Sequence, residues 1–178
     1  MYALHENDEE LLQLLKKSME SHLEFMLPDG AWDNSWGTRQ AKWSYWGSRT
    51  TDGCQTGFGM MSHKNPAFGT AAYLNTELLE RCTFSGLLSG GPHYESHGVL
   101  PCVHHTFAHA KPLAALLDLG KDFPQIDKTT PIPRLSAEGI KTFPEIATQI
   151  FARGPWRGTV SAYDFVYKTH AQQATGGA

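Results

Sequence analysis

No apolar run in this 178-residue chain approaches the ~20 residues that a bilayer-crossing helix needs, so the sequence predicts no membrane partner. Basic charge is equally scarce. Lysine and arginine number 15 against 18 acids, and the formal net charge of −3 lacks the basic excess of a nucleic-acid binder. Cysteine occurs three times, as Cys54, Cys82 and Cys102. An odd number at wide spacing fits neither a dense disulfide framework nor a paired C-x-x-C zinc site. The expectation is three buried thiols acting as small apolar residues, with one disulfide and a free thiol as the alternative. Also missing are a phosphate-cradling glycine loop, a dinucleotide fingerprint and a G-x-S-x-G elbow. The first residues do not read as a signal peptide, because Asp8, Glu9 and Glu10 stand where an apolar run should be.

With 40% apolar and 19% charged residues the chain is neither disordered nor strongly charged. The first predicted element is a helix opening at Asn7 and Glu10 in a capping-box-like pattern. Leu11, Leu15, Met19 and Leu23 recur every four residues, with Leu12 and Met26 widening the stripe, and Pro28-Asp29-Gly30 ends it. A long Gly/Ser/Trp-rich loop follows from Ala31 and enters a second helix near Asp52. Pro66 to Cys82 is helical in pattern, with Ala71, Leu74, Leu78 and Leu79 on one side. Leu87 to Gly98 is a turn region, and Pro101 opens a helix to Leu119 with a kink expected at Pro112. After Gly120 the pattern changes to strand-like runs at Lys141–Phe143, Ile146–Phe151 and Thr159–Tyr167, with a turn at Arg153-Gly154-Pro155. Helices first and strands last predict an α+β chain: a helical part over 1–120, a linker over 121–137 and a β part over 138–178. Three strands rarely make a stable sheet alone, so the expectation is a fragment of a larger protein.

Two constellations carry chemistry. Four of the five tryptophans, Trp32, Trp36, Trp43 and Trp46, fall in one short segment with Asn34, Arg39, Tyr45, Arg49 and Asp52. Indole faces cover the C–H face of a sugar ring, while arginine grips a carboxylate in a bidentate fork. Packing of Trp36 and Trp46 between helices, with the arginines paired to Asp33 and Asp52, is the competing account. The second constellation is histidine: His93, His97, His104, His105 and His109 lie close in sequence, with Tyr94 among them. Imidazoles exchange protons near neutral pH, and His105 and His109 share a helix face. For His109 a polar core role is favoured. With no H-E-x-x-H pattern present, neither a metal nor another cofactor is expected.

Trp32-Asp33-Asn34-Ser35-Trp36-Gly37-Thr38-Arg39 and Tyr45-Trp46-Gly47-Ser48-Arg49-Thr50-Thr51-Asp52-Gly53 resemble polysaccharide lyases of the heparinase II/III-like architecture, an (α/α) toroid followed by a β-sandwich. Gly154-Pro155-Trp156-Arg157, Ala162-Tyr163-Asp164-Phe165 and Ala174-Thr175-Gly176-Gly177 resemble that architecture's passage into its sandwich. The resemblance implies toroid helices over 1–120, first sandwich strands over 138–178, and secretion or periplasmic location of a longer protein. It also implies β-elimination on a uronate-containing polysaccharide. Asn34 and Arg39 are then candidates for neutralising the carboxylate, and Tyr45, His104 and His105 for base and acid. Trp32, Trp36, Trp43, Trp46, Arg49, His93, Tyr94 and His97 are candidates for substrate contact. Two rivals stand beside it: a toroid glycoside hydrolase using Asp33 and Asp52 as paired carboxylates, and a non-catalytic carbohydrate-binding module.

Overall fold

The computed structural model describes residues 2–33, 54–89, 103–119 and 126–162. Helices precede strands, so the chain is α+β as its sequence order predicts. A short helix α1 (Tyr2–His5) leads into α2 (Glu9–Leu23). The cap of α2 is Asp8, whose carboxylate accepts the Leu11 backbone N–H at 3.0 Å. Asn7, the expected cap, instead takes a left-handed turn with φ 52°. The predicted stripe also rotates: Leu12 and Leu23 are buried, Leu11 and Met19 pack against them, and Leu15 is exposed. Each step of four residues advances the helix face by about 40°, so a strict four-residue repeat drifts off the buried line.

The turn after α2 is held from outside. Gly30 has φ 92°, and a Cβ there would sit 2.3 Å from the Leu74 carbonyl oxygen. Only glycine permits this approach. The buried Asn75 amide donates to the Gly30 carbonyl at 2.8 Å and locks the contact. Beyond residues 34–53, helix α3 (Cys54–Met60) leads to α4 (Pro66–Arg81). Asn65 caps α4 at the Ala67 N–H and Pro66 fills the first turn, where a missing donor costs nothing. Ala71, Leu78 and Leu79 are buried as the pattern predicts, and Cys82 beyond the helix is buried as well. Strands β1 (Thr83–Phe84) and β2 (Leu87–Leu88) form a minimal hairpin that turns at Ser85 and Gly86, both at positive φ, so the turn comes before Leu87, where it was expected to begin. Helix α5 (Val103–Leu119) runs through Pro112. It packs on α3, where a Cβ on Gly59 would lie 3.2 Å from Leu116.

The main core gathers Leu12, Leu23, Met26, Trp32, Phe58 and Phe68. Ile132, from the connection after α5, is wholly buried in it. Each such side chain contributes about 1.5–3 kcal/mol on burial. A one-turn helix α6 (Pro133–Ser136) then delivers the chain to an antiparallel sheet, β3 (Gly139–Phe143), β4 (Thr148–Arg153) and β5 (Trp156–Ser161), in that order. The strands replace the predicted ones with shifted bounds. Pro144–Ile146 makes a 3-10 turn where the second strand was expected to begin, and the third strand starts at Trp156. Thr148, Ile150 and Ala152 face the helices; Gln149, Phe151 and Arg153 face away. The inner face meets α2's end, where the Phe143 ring stands 4.9 Å from Phe25 and Lys141 pairs with Glu24 at 2.6 Å. Among the described residues, no helix is long and apolar enough to cross a membrane.

Candidate functional site

The Trp- and Arg-rich segment is flanked by Trp32 in the core and by α3. Asn34, Trp36, Arg39, Trp43, Tyr45, Trp46, Arg49 and Asp52 lie outside the described residues, as do His93, Tyr94 and His97. Both ends of the segment are placed, and they converge. Trp32 stacks on Phe58 of α3 with ring centroids 5.4 Å apart and an interplanar angle of 19°. Phe58 in turn meets Phe68 of α4 edge-on at 5.1 Å. The described residues on either side of the segment therefore share one aromatic cluster.

Trp32 itself is corrected by this placement. Its expected role was an open platform for a sugar ring, but it is 1% exposed, with Phe58 and His22 against it. Its ring is core, and it acts on the segment by pinning the segment's start. The tilted His22 ring lies 4.5 Å away, and burial pushes the His22 imidazole below its ordinary pKa.

Asp33, next in the chain, is likewise committed. Its carboxylate pairs with the Arg134 guanidinium at 3.1 Å and accepts a short hydrogen bond from the Thr159 hydroxyl. Arg134 is 3% exposed and donates further to the Glu24 carbonyl at 3.0 Å and to Thr159 at 2.6 Å. Burial lowers the Arg134 pKa by opposing its charge, while Asp33 acts in the other direction. Arg157 donates to the Arg134 carbonyl at 2.6 Å. The first residue of the segment, the linker and β5 thus share one polar hub. A carboxylate locked in that hub fills a structural position, which removes the ground for pairing it with Asp52 as a hydrolytic acid.

Of the histidines, His104 and His105 lie in the first turn of α5, with His104 exposed and His109 buried further along. Burial of His109 agrees with the polar core role favoured for it. Because α5 packs on α3, the histidine helix stands beside the helix into which the aromatic segment runs. The Thr106 hydroxyl accepts the Leu88 N–H at 2.7 Å and ties this helix to the β1–β2 hairpin. Among the described residues, no three His, Cys, Asp or Glu side chains cluster as a metal site would.

Two features were invisible in the sequence. Arg134 follows a proline in an unremarkable linker, and nothing in its surroundings along the chain points to Asp33. Gln55 and Thr56, just beyond the segment, are buried with side-chain polar atoms that make no hydrogen bond among the described residues, as is the Trp32 indole N–H. Burying such groups unpaired costs about 1–3 kcal/mol each by mutational scales. The base of the segment therefore concentrates unmet hydrogen-bonding capacity. A cavity of about 280 Å³ also opens between linker and sheet, lined by Glu24, Arg134, Glu138, Lys141 and Ile150 among others.

Comparison with known proteins supplies the context. Residues 1–135 match the family described as the ulvan lyase N-terminal domain, and residues 140–178 match the ulvan lyase C-terminal domain. The chain is 65% identical over 179 aligned positions to a protein of Formosa agariphila named broad-specificity ulvan lyase. That alignment covers 99% of this chain and 28% of the Formosa protein. No solved structure matches the chain.

Proposed function

This chain belongs to the ulvan lyase family, and from that premise we propose that it forms part of an enzyme cleaving ulvan, a uronate-containing polysaccharide, by β-elimination. The observation that carries this reading is the 65% identity extending across nearly the whole chain, including the aromatic segment. In β-elimination a base removes the C5 proton, the C4–O4 bond breaks, and an acid protonates the departing O4. The C5 proton is weakly acidic until the neighbouring carboxylate charge is neutralised, so donors aimed at that carboxylate contribute most in the transition state.

Asn34 and Arg39 are assigned that neutralising role, with Arg49 as a further carboxylate contact. Tyr45, His104 and His105 are the base and acid candidates. Trp36, Trp43 and Trp46 are assigned the ring platform, and His93, Tyr94 and His97 further contact with substrate. Two observations support this reading: Trp32 stacks on Phe58 across the segment's two ends, and the helix that carries His104 and His105 packs on α3 near its other end, at Leu116. The helices are read as a sector of an (α/α) toroid of heparinase II/III-like type, and the sheet as the first strands of the β part that follows it. Secretion or periplasmic location follows from the substrate, since a polymer of this kind does not cross a membrane intact.

The test is incubation of the full-length protein with ulvan, following the ultraviolet absorbance of the unsaturated uronate formed. His104→Ala and Tyr45→Phe are expected to lower kcat by about 100-fold or more if they transfer protons. Chain cleavage with no unsaturated product would refute the elimination, and full turnover by both variants would remove them from the mechanism.

A further inference from the structure

Away from the aromatic segment, one surface carries both aromatic rings and an unspent charge. It is the outward face of the β3–β4–β5 sheet. The register sets Ile140, Phe151 and Gly158 in one cross-strand row and Arg153 opposite Trp156 in the next. These residues share the face opposite to buried Thr148, Ile150 and Ala152. Trp156 is 73% exposed and Phe151 41%. We propose that this face is a second polysaccharide-binding surface, on which a sugar ring lies over Trp156 and Phe151 with its carboxylate at Arg153. The proposal rests on the reading of the substrate as a uronate glycan.

Three observations favour a sugar over a covering layer of protein. The first is flatness. A Cβ on Gly158 would come within 2.3 Å of two Phe151 ring carbons, so the ring lies down across β5 where glycine leaves room. Packed sheets interdigitate side chains that stand up from each face, whereas a ring lying flat offers a platform for the C–H face of a sugar. The second is charge. Arg153 makes no ion pair among the described residues, and a layer of apolar side chains over it would strand a desolvated cation. A uronate carboxylate answers it with two parallel hydrogen bonds. The third is rigidity. The Gly154 N–H donates to the Glu138 carboxylate at 3.1 Å, and Arg157 donates to the Gly154 and Trp156 carbonyls at 2.5 and 2.9 Å. The hairpin thus holds Arg153 and Trp156 at a set spacing before any ligand arrives, which lowers the ordering cost of binding.

The experiment measures calorimetric affinity for ulvan and for a neutral glucan, using the intact protein and its W156A and R153A variants. Thermal unfolding and steady-state cleavage are followed on the same samples. The expected result is a loss of affinity of about tenfold in W156A. R153A should lose affinity for ulvan while leaving the neutral glucan unaffected, and both variants should raise KM on polymer with kcat unchanged. Variants that bind ulvan as tightly as the parent overturn the proposal, as does a fall in unfolding temperature with affinity intact, the mark of a face covered by protein. A parent that binds ulvan without cleaving it refutes the lyase reading alone. A parent that cleaves ulvan beside unaffected variants refutes this surface alone.

Discussion

Trp32 and Trp156 can be compared directly, and they occupy opposite surroundings. Trp32 is 1% exposed, stacked on Phe58 in a core shared by α2, α3 and α4. Trp156 is 73% exposed at the start of β5, on a sheet face whose other side already packs on the helices. The same indole is a structural pin in one region and an open surface in the other. Residue type alone does not separate the two; a tryptophan's role follows from which neighbours the chain brings to it. Trp32 has Phe58 of α3 stacked on it, and Phe58 is backed edge-on by Phe68 of α4. Trp156 lies across from Arg153 of the neighbouring strand and stays open on its outer side among the described residues.

The largest effect expected from this contrast is on stability. Trp32→Ala should cost about 3–5 kcal/mol in urea unfolding, as for large aromatic truncations in cores. Trp156→Ala should stay within about 0.5 kcal/mol, as for exposed sites. Equal losses would break the comparison. Next comes the hub that joins the two regions. Arg134→Met leaves the Asp33 carboxylate without its buried partner and should cost about 3 kcal/mol, much of it recovered when Asp33→Leu is added. An additive double variant would show that the pair is not a unit.

Acid titration provides a smaller, signed effect. Hydrogen bonds from Thr130 and Thr129 hold the Asp127 carboxyl at about 2, below its ordinary 3.8. Stability from this group is therefore present above pH 4 and lost as pH falls from about 4 towards 2. Asp127→Asn should flatten that limb of the unfolding curve. His22 contributes the same sign higher up: its folded pKa is depressed, so the unfolded chain binds its proton first and stability falls as pH drops below about 6.5. His22→Phe should remove that limb, and unchanged curves would show that neither environment matters. The smallest change is expected from Gln55→Leu. Replacing a buried, unbonded amide by an apolar side chain should alter stability by less than about 1 kcal/mol, in the stabilising direction. Turnover that falls while stability rises would mark Gln55 as serving the site rather than the fold.

Much of the helical architecture was legible because apolar spacing and caps are local. Asn65 and Pro66 announce α4, and its buried positions follow from a helical period. The start of α2 was misjudged by one residue because Asn7 and Asp8 are both good caps, and the contest is settled by Asn7 turning left-handed. Strand bounds shifted because Pro144 and the left-handed Ala147 interrupt an apolar run that looks continuous by composition. The site was less legible. Of the four clustered tryptophans, Trp32 belongs to the core, and Phe58, distant in sequence, reveals that. The Asp33–Arg134–Thr159 hub joins residues about a hundred positions apart, a separation no local pattern encodes.

The central claim is the elimination chemistry, and its stoichiometry is the most direct test. Each β-elimination produces one new reducing end and one unsaturated uronate end. Counting both in a single ulvan digest should give equal numbers from the first percent of cleavage onward. Reducing ends accumulating without the unsaturated ends would mean that water, and not a departing C5 proton, breaks the chain.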